Sequence, residues 1–277
     1  TAYEITYGDW SSDVCSSDLG LLALALAVMW AMRAVGTYAV GAISTARSLP
    51  IYSVAREEKK IAISFDCAWG TEHTDAILKA MEQNDVKCTF FMVQFWTEKY
   101  PEYVKKIDEA GHEIGTHSKT HPYMSKLSES EIREELSSSS GAITAVTGKK
   151  VELFRPPYGD YDNLLIDTSN SMGLYPIQWD VDSLDWKNLS ATDIAMRIIN
   201  GVKPGSIILC HNNGLHTAEA LPLIFSTLQN RGYEFVPIGE LIYRENYAID
   251  SVTRENAWAK LNLGNELVYH QPARLKK

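Results

Sequence analysis

Residues 61–96 read IAISFDCAWGTEHTDAILKAMEQNDVKCTFFMVQFW, and this stretch decides the fold. Ile61 to Phe65 form an unbroken apolar run that stops at Asp66, the mark of a strand buried on both faces. Residues 74–84 then place Ile77, Leu78 and Met81 on one helical face. A second apolar run, CTFFMVQFW (88–96), follows. Strand, helix and strand in this order make a βαβ unit, whose strands pair in parallel.

The alternation continues down the chain. Strands are expected at 112–117, 151–155, 174–180, 206–210 and 233–238. Helices are expected at 101–110, from Ser128 to Val146, at 191–200 and at 218–230, with a short one ending at Tyr243. Ser128 and Glu131 make a capping box, and Gly111 stops the helix before it. About seven parallel strands separated by helices imply an α/β fold, either a barrel or a doubly wound sheet. Polar residues gather where the strands end: Asp66, His117, Arg155, Asp180 to Asp185, and His211. In parallel barrels those ends form the active face.

Both flanks differ from this body. Residues 1–18, TAYEITYGDWSSDVCSSD, have no apolar period and resemble adapter read-through, so they are set aside as a non-native scar. Leu19 to Met32 carry no charge, and beyond Arg33 the chain is again uncharged to Ile43. Fourteen residues at about 1.5 Å each cannot cross a core of roughly 30 Å, but the stretch 19–43 can, with Arg33 snorkelling. A signal anchor at 19–43 is therefore expected, then a linker at 44–58, a catalytic domain at 59–244 and a polar tail at 245–277 with a helix near 254–263. Such an anchor places the body on the extracytoplasmic face of the membrane, anchored or secreted.

Composition removes several function classes. The 277 residues are 45% apolar and 22% charged, which is a folded chain with a core of ordinary size. A net charge of −9 argues against nucleic acid as a partner. No G-x-G-x-x-G or Walker loop occurs, so no nucleotide cofactor is expected. No C-x-x-C pair occurs among the four cysteines, which excludes a zinc ribbon, and no G-x-S-x-G elbow suggests a serine hydrolase.

The strand ends carry the candidate chemistry, and each residue also has a plain structural reading. His117 and His121, four apart in HSKTHP, point one way on a helical turn and can share a metal. Asp66 reads equally as a helix cap, His211 as a packed imidazole and RPPYG (155–159) as a rigid turn. WDVDSLDW (179–186) lacks the Gly and terminal Glu of a calcium loop, and one of its aspartates is expected to pair with Arg155.

Taken in order, Asp66, His-x-x-x-His-Pro, Arg-Pro-Pro-Tyr-Gly, Asp185-Trp186 and Leu209-Cys210-His211 resemble the polysaccharide deacetylase family (NodB homology, carbohydrate esterase family 4) over about residues 59–244. SFDCAWGTEHT and WDVDSLDWK are most similar to its sporulation-type, membrane-anchored PdaB-like group. The resemblance implies a distorted (β/α) barrel and a metal-dependent hydrolase that removes N-acetyl groups from peptidoglycan or a related glycan. It implies Asp66 as general base, His211 as general acid, and His117 and His121 as ligands of a divalent metal, zinc or cobalt. Arg155 then orients the base with Asp185 as its partner, the Tyr158 N–H faces the oxyanion, Leu209 lines the acetyl pocket and Trp186 the sugar groove. One position departs from the family pattern. Members carry a second Asp after the base as third metal ligand, where this chain has Cys67. Glu72 is the favoured substitute; His73 and Cys67 are the others, although strand alternation points Cys67 away from Asp66. Two other functions stay open: a catalytically reduced, glycan-binding barrel in spore-envelope assembly, and an O-acetyl esterase of the xylan type.

Overall fold

The computed structural model of the chain describes residues 47–258. Strand β1 (Ser53–Val54) leads into β2 (Lys60–Cys67), helix α1 (Thr74–Gln83) and β3 (Thr89–Met92). Helices α2 (Gln94–Lys99) and α3 (Pro101–Glu109) precede β4 (Glu113–Thr116), and the long α4 (Glu129–Thr147) precedes β5 (Leu153–Phe154). Then come α5 (Asn163–Ser171), β6 (Tyr175–Pro176), β7 (Val181–Asp182), α6 (Ala191–Gly201) and β8 (Ile207–His211). The chain goes on through α7 (Thr217–Asn230), β9 (Glu234–Phe235), α8 (Ile238–Leu241), β10 (Tyr247–Ile249) and β11 (Glu255–Trp258).

Seven strands in the order β6-β5-β4-β3-β2-β8-β7 make an incomplete barrel, with β9 added beside the start of β2. Every pairing in it is parallel, as the βαβ reading requires. Alternation along β2 sorts its side chains into two layers. Ile61, Ile63, Phe65 and Cys67 join the large core beneath the helices, with Ile77, Met81 and Ile224. Ala62 turns to the inner core with Phe91, Leu153, Ile177 and Ile207. Ser64 and Asp66 have the same parity as Ala62, so the inner layer becomes polar toward the strand's C-terminal end.

Residues that precede β2 bond both to the edge strand β6 and to the segment before β8. Ile51 N–H donates to the Pro176 carbonyl at 2.9 Å, and the Ile51 carbonyl accepts from Gln178 N–H at 2.7 Å. Three residues later Val54 N–H donates to Gly205 O at 2.9 Å, beside the start of β8. Ile51 is buried against the inner core. Ile51→Ala is therefore expected to destabilise the protein by roughly 2–5 kcal/mol, measured by urea unfolding.

Several boundaries differ from the sequence reading. The expected linker contributes β1, and the expected tail contributes β10 and β11, which complete a three-stranded sheet in the order β1-β11-β10. Residues 255–258 are thus a strand where a helix was expected; β11 pairs parallel to β1 and antiparallel to β10. The apolar run 88–96 holds two elements, because its last residues turn into α2 and bury Trp96. Helix α5 was not expected, and it begins at an Asp162 cap that accepts from Leu165 N–H. The Ser128–Glu131 capping box forms as expected, and α4 ends at Gly148 with φ 70°. The expected anchor at 19–43 lies outside the described residues. Among those that are described, no helix is long and apolar enough to cross a membrane.

Candidate active site

The C-terminal ends of β2, β4, β5 and β8 surround one cavity of about 510 Å³. Asp66, His117, His121, Tyr158, Trp186, Leu209 and His211 line it. Arg155 and Asp185 stand immediately behind the lining, both fully buried. Glu72 does not reach the cavity.

Asp66 and Arg155 form a buried ion pair, Nη1 to Oδ1 at 2.8 Å. The same Nη1 donates to Ser64 Oγ at 2.8 Å, and Nη2 donates to the Gln178 carbonyl at 3.2 Å. The guanidinium lies 4.2 Å from the Phe91 ring centre, and that ring fills the space a side chain at Gly115 would need. Burial works to raise the Asp66 carboxyl, but Arg155, with His117 and His211, outweighs it and holds the group below the ordinary aspartate value. Asp66 is a charged, oriented acceptor at neutral pH.

His211 has the opposite tuning. Its Nδ1 lies 2.7 Å from Asp185 Oδ1, and a carboxylate only accepts, so Nδ1 carries the proton. Asp185 is itself fixed by His211 N–H at 2.8 Å and by the Thr217 hydroxyl at 2.7 Å. Burial works to lower the imidazole, yet its bond to Asp185 prevails and raises it above the ordinary histidine value. The pairing expected between Arg155 and an aspartate of 180–185 does not form. Arg155 takes Asp66, Asp185 takes His211, and Asp180 accepts from Ser206 Oγ and Ile207 N–H. Arg155 instead reaches across the barrel interior to the end of β2, a long-range contact that sequence order does not reveal.

His117 and His121 come together, with ring centres 4.9 Å apart. His117 Nδ1 lies 2.7 Å from the Arg155 carbonyl, so that nitrogen donates and Nε2 keeps its lone pair. Nε2 then faces Asp66 Oδ2 at 3.6 Å, acceptor to acceptor. His121 Nδ1 is buried without a hydrogen-bond partner. Burial lowers both imidazoles, that of His121 to about 4, so both are neutral at pH 7. Two imidazoles in this state suit a metal ion. The third ligand is missing. Glu72 is exposed, with its carboxylate folded over Gly70 where a Cβ would overlap it. His73 stands at the start of α1, off the cavity lining. Cys67 is in the outer core, where burial pushes its thiol far above the ordinary value. Among the described residues no group of three His, Cys, Asp or Glu side chains is placed to hold an ion. The residues present do not fit the three-ligand centre that the resemblance implies.

The rim is aromatic. Trp69, Tyr123, Tyr158 and Trp186 are each more than half exposed. Tyr158 stacks on Tyr123 at 4.4 Å and meets His121 edge-on at 4.6 Å, while Trp69 meets His121 at 5.2 Å. Tyr158 has φ 59°, held in the turn that the two prolines of RPPYG begin. Leu209, almost fully buried, lies at the cavity floor. Sequence reasoning missed Ser64, Gln178 and Thr217. Ser64 had a signal, being a polar residue with the parity of Asp66 inside an apolar strand. Gln178 acts through its backbone carbonyl and Thr217 comes from a distant helix start, so neither had one.

Comparison with known proteins agrees with this fold. The family profile described as polysaccharide deacetylase matches residues 53–177. A Bacillus cereus protein named peptidoglycan-N-acetylglucosamine deacetylase is 32% identical over 191 residues, 68% of this chain and 70% of that one. The uncharacterized protein YlxY of Bacillus subtilis is 32% identical over 193 residues, 70% of this chain; the chain spans only 60% of that relative's length. The crystal structure of a CE4 family pseudoenzyme from Bacillus anthracis superposes with a TM-score of 0.68 at 34% identity, covering 70% of this chain and 69% of that one.

Proposed function

Because this chain belongs to the polysaccharide deacetylase family, we propose that it is a hydrolase that removes N-acetyl groups from a cell-wall glycan, peptidoglycan first. The observation that carries this reading is a pair of oppositely tuned groups on one cavity: Asp66 held low by Arg155, and His211 raised above the ordinary histidine value by its bond to Asp185. Amide hydrolysis needs both at once. A base takes a proton from the attacking water, and an acid protonates the departing amine. Asp66 fills the first role because its carboxyl titrates low, and His211 the second because its imidazole titrates high. Arg155 keeps Asp66 turned to the cavity. The Tyr158 N–H faces the developing oxyanion in this reading, a contribution of about 3–4 kcal/mol. Leu209 receives the acetyl methyl, and Trp186 stacks on the sugar. The divalent ion of the resemblance, zinc or cobalt, stays outside this mechanism, since His117 and His121 find no third ligand in Glu72. Location on the outer face of the membrane rests on the apolar stretch 19–43, interrupted by the single charge of Arg33, and a sporulation role rests on the PdaB-like motifs.

Acetate release tests this function. Peptidoglycan and chito-oligosaccharides are expected to outpace acetylated xylan; faster release from xylan assigns the site to ester hydrolysis. A second reading, a glycan-binding barrel with reduced catalysis, is favoured by the missing third ligand. It is marked by glycan binding without acetate release.

The pH profile follows from His211. Its acid form is lost as pH rises through its raised pKa, so kcat/KM is expected to fall on the alkaline side. In Asp185→Asn the partner that raised the imidazole is gone and burial lowers it. The alkaline limb of the kcat/KM profile should move to lower pH, with about tenfold lost per pH unit above the new midpoint.

A further inference from the structure

We propose that Glu135, on α4, is the positioning residue that aims His121 into the cavity. The inference rests on His121 belonging to the site proposed above. His117 and His121 are held in different ways. His117 follows β4 directly: its N–H donates to Met92 O at 2.8 Å, and its ring is bonded to the Arg155 carbonyl. The sheet fixes it. His121 stands four residues further, on a turn with two non-glycine residues in the left-handed region, Ser118 at φ 73° and His121 itself at φ 59°. L-residues adopt this conformation only where the surroundings impose it.

Glu135 imposes it. The residue sits in the buried stripe of α4, with Ile132, Leu136, Ser139 and Ile143, where an apolar side chain would be expected. Its carboxylate faces the turn. Oε2 accepts from both Lys119 N–H and Thr120 N–H at 2.8 Å, and Oε1 accepts from the Thr120 hydroxyl at 2.7 Å. Two consecutive backbone donors on one carboxylate oxygen fix the peptide planes that precede His121. The same helix reaches the turn a second time. Ser139 Oγ accepts from Thr116 Oγ1 at 2.6 Å, and Thr116 Oγ1 accepts in turn from Ser118 N–H at 3.3 Å. Inside the turn Ser118 Oγ accepts from His121 N–H at 3.0 Å. Helix α4 thus sets the direction of the imidazole that meets Tyr158 and Trp69.

The test compares Glu135→Leu and Glu135→Gln in the full chain, by acetate release from chito-oligosaccharide and by ¹⁵N-histidine NMR. In Glu135→Leu the histidine spectrum is the deciding readout, with acetate release followed on the same sample. The His121 ring signals should shift while those of His211 stay in place. Glu135→Gln keeps an oxygen for the two N–H groups, so it should recover the wild-type His121 signals. Thr120→Val, at an exposed position, removes one of the three bonds and should give a smaller shift of the same signals, which keeps the test valid if Glu135→Leu does not fold. Unchanged His121 signals in Glu135→Leu and Thr120→Val would overturn the proposal. So would equal displacement of His121 and His211, which marks general loosening, or a Gln variant as defective as Leu. The NMR comparison stands even if the wild type releases no acetate, in which case the proposed function fails and the positioning role is still decided.

Discussion

Asp66→Asn is expected to abolish acetate release while leaving a folded protein that still binds glycan. Asparagine has nearly the shape of aspartate, and its Oδ1 can still accept from Arg155 Nη1 and preserve the bond now at 2.8 Å. It cannot take a proton from water. Loss of a positioned general base lowers a rate by roughly 10²–10⁴-fold. Stability should fall modestly, by about 1–3 kcal/mol, because a buried guanidinium keeps its hydrogen bond but loses its countercharge. Steady-state acetate assays and thermal unfolding on the same preparation separate the two effects.

Arg155→Leu should cost more in stability than any other change at the site. Arg155 is fully buried, and removing it leaves the Asp66 carboxylate without a cation in the barrel interior. Breaking one side of a buried ion pair costs roughly 3–5 kcal/mol, and Gln178 O loses a donor as well. The pH dependence changes too. Arg155 is the foremost group that holds the Asp66 carboxyl low against burial, so without it the carboxyl titrates higher. The acid limb of kcat/KM should move to higher pH, because the base must lose its proton before it can act. Arg155→Lys is not expected to rescue, since one ammonium cannot serve Ser64, Asp66 and Gln178 with the geometry of a planar fork.

The parts of this site that were readable in the sequence are those where one residue carries both a position and a chemistry. Asp66 and His211 end apolar runs, and parallel strands bring such ends to one face, so their meeting followed from the βαβ pattern alone. The parallel α/β fold was legible for the same reason, while the choice of a barrel over a doubly wound sheet came from the family resemblance. Boundaries were harder where one apolar run served two elements, as in 88–96, where Met92 ends a strand and Gln94 begins a helix. Pairing was harder still. Arg155 and Asp66 are 89 positions apart, and only the folded barrel shows that Arg155 chooses Asp66 while Asp185 chooses His211. The tie at Ile51 had no signal, because it works through backbone groups that carry no residue identity, whereas Glu135 had one, a carboxylate inside the apolar stripe of its helix, but its partners in the turn before His121 did not.

The electrostatic division of labour has one consequence for the two histidines beside it. His117 and His121 are neutral at pH 7, with His117 Nε2 turned toward Asp66. Cys67 spends its position on packing rather than on ligation. The proposed acid and base therefore stand in place on the cavity although no third ligand stands beside the two histidines.

The most direct measurement is acetate released from purified peptidoglycan by the full chain, beside Asp66→Asn, with glycan binding and thermal unfolding followed on both. The expected result is release by the wild type, none by Asp66→Asn, and glycan binding by both folded proteins. Glycan binding by a folded wild type with no acetate released, or release that persists in Asp66→Asn, would contradict the assignment of Asp66 as the base of an N-deacetylase.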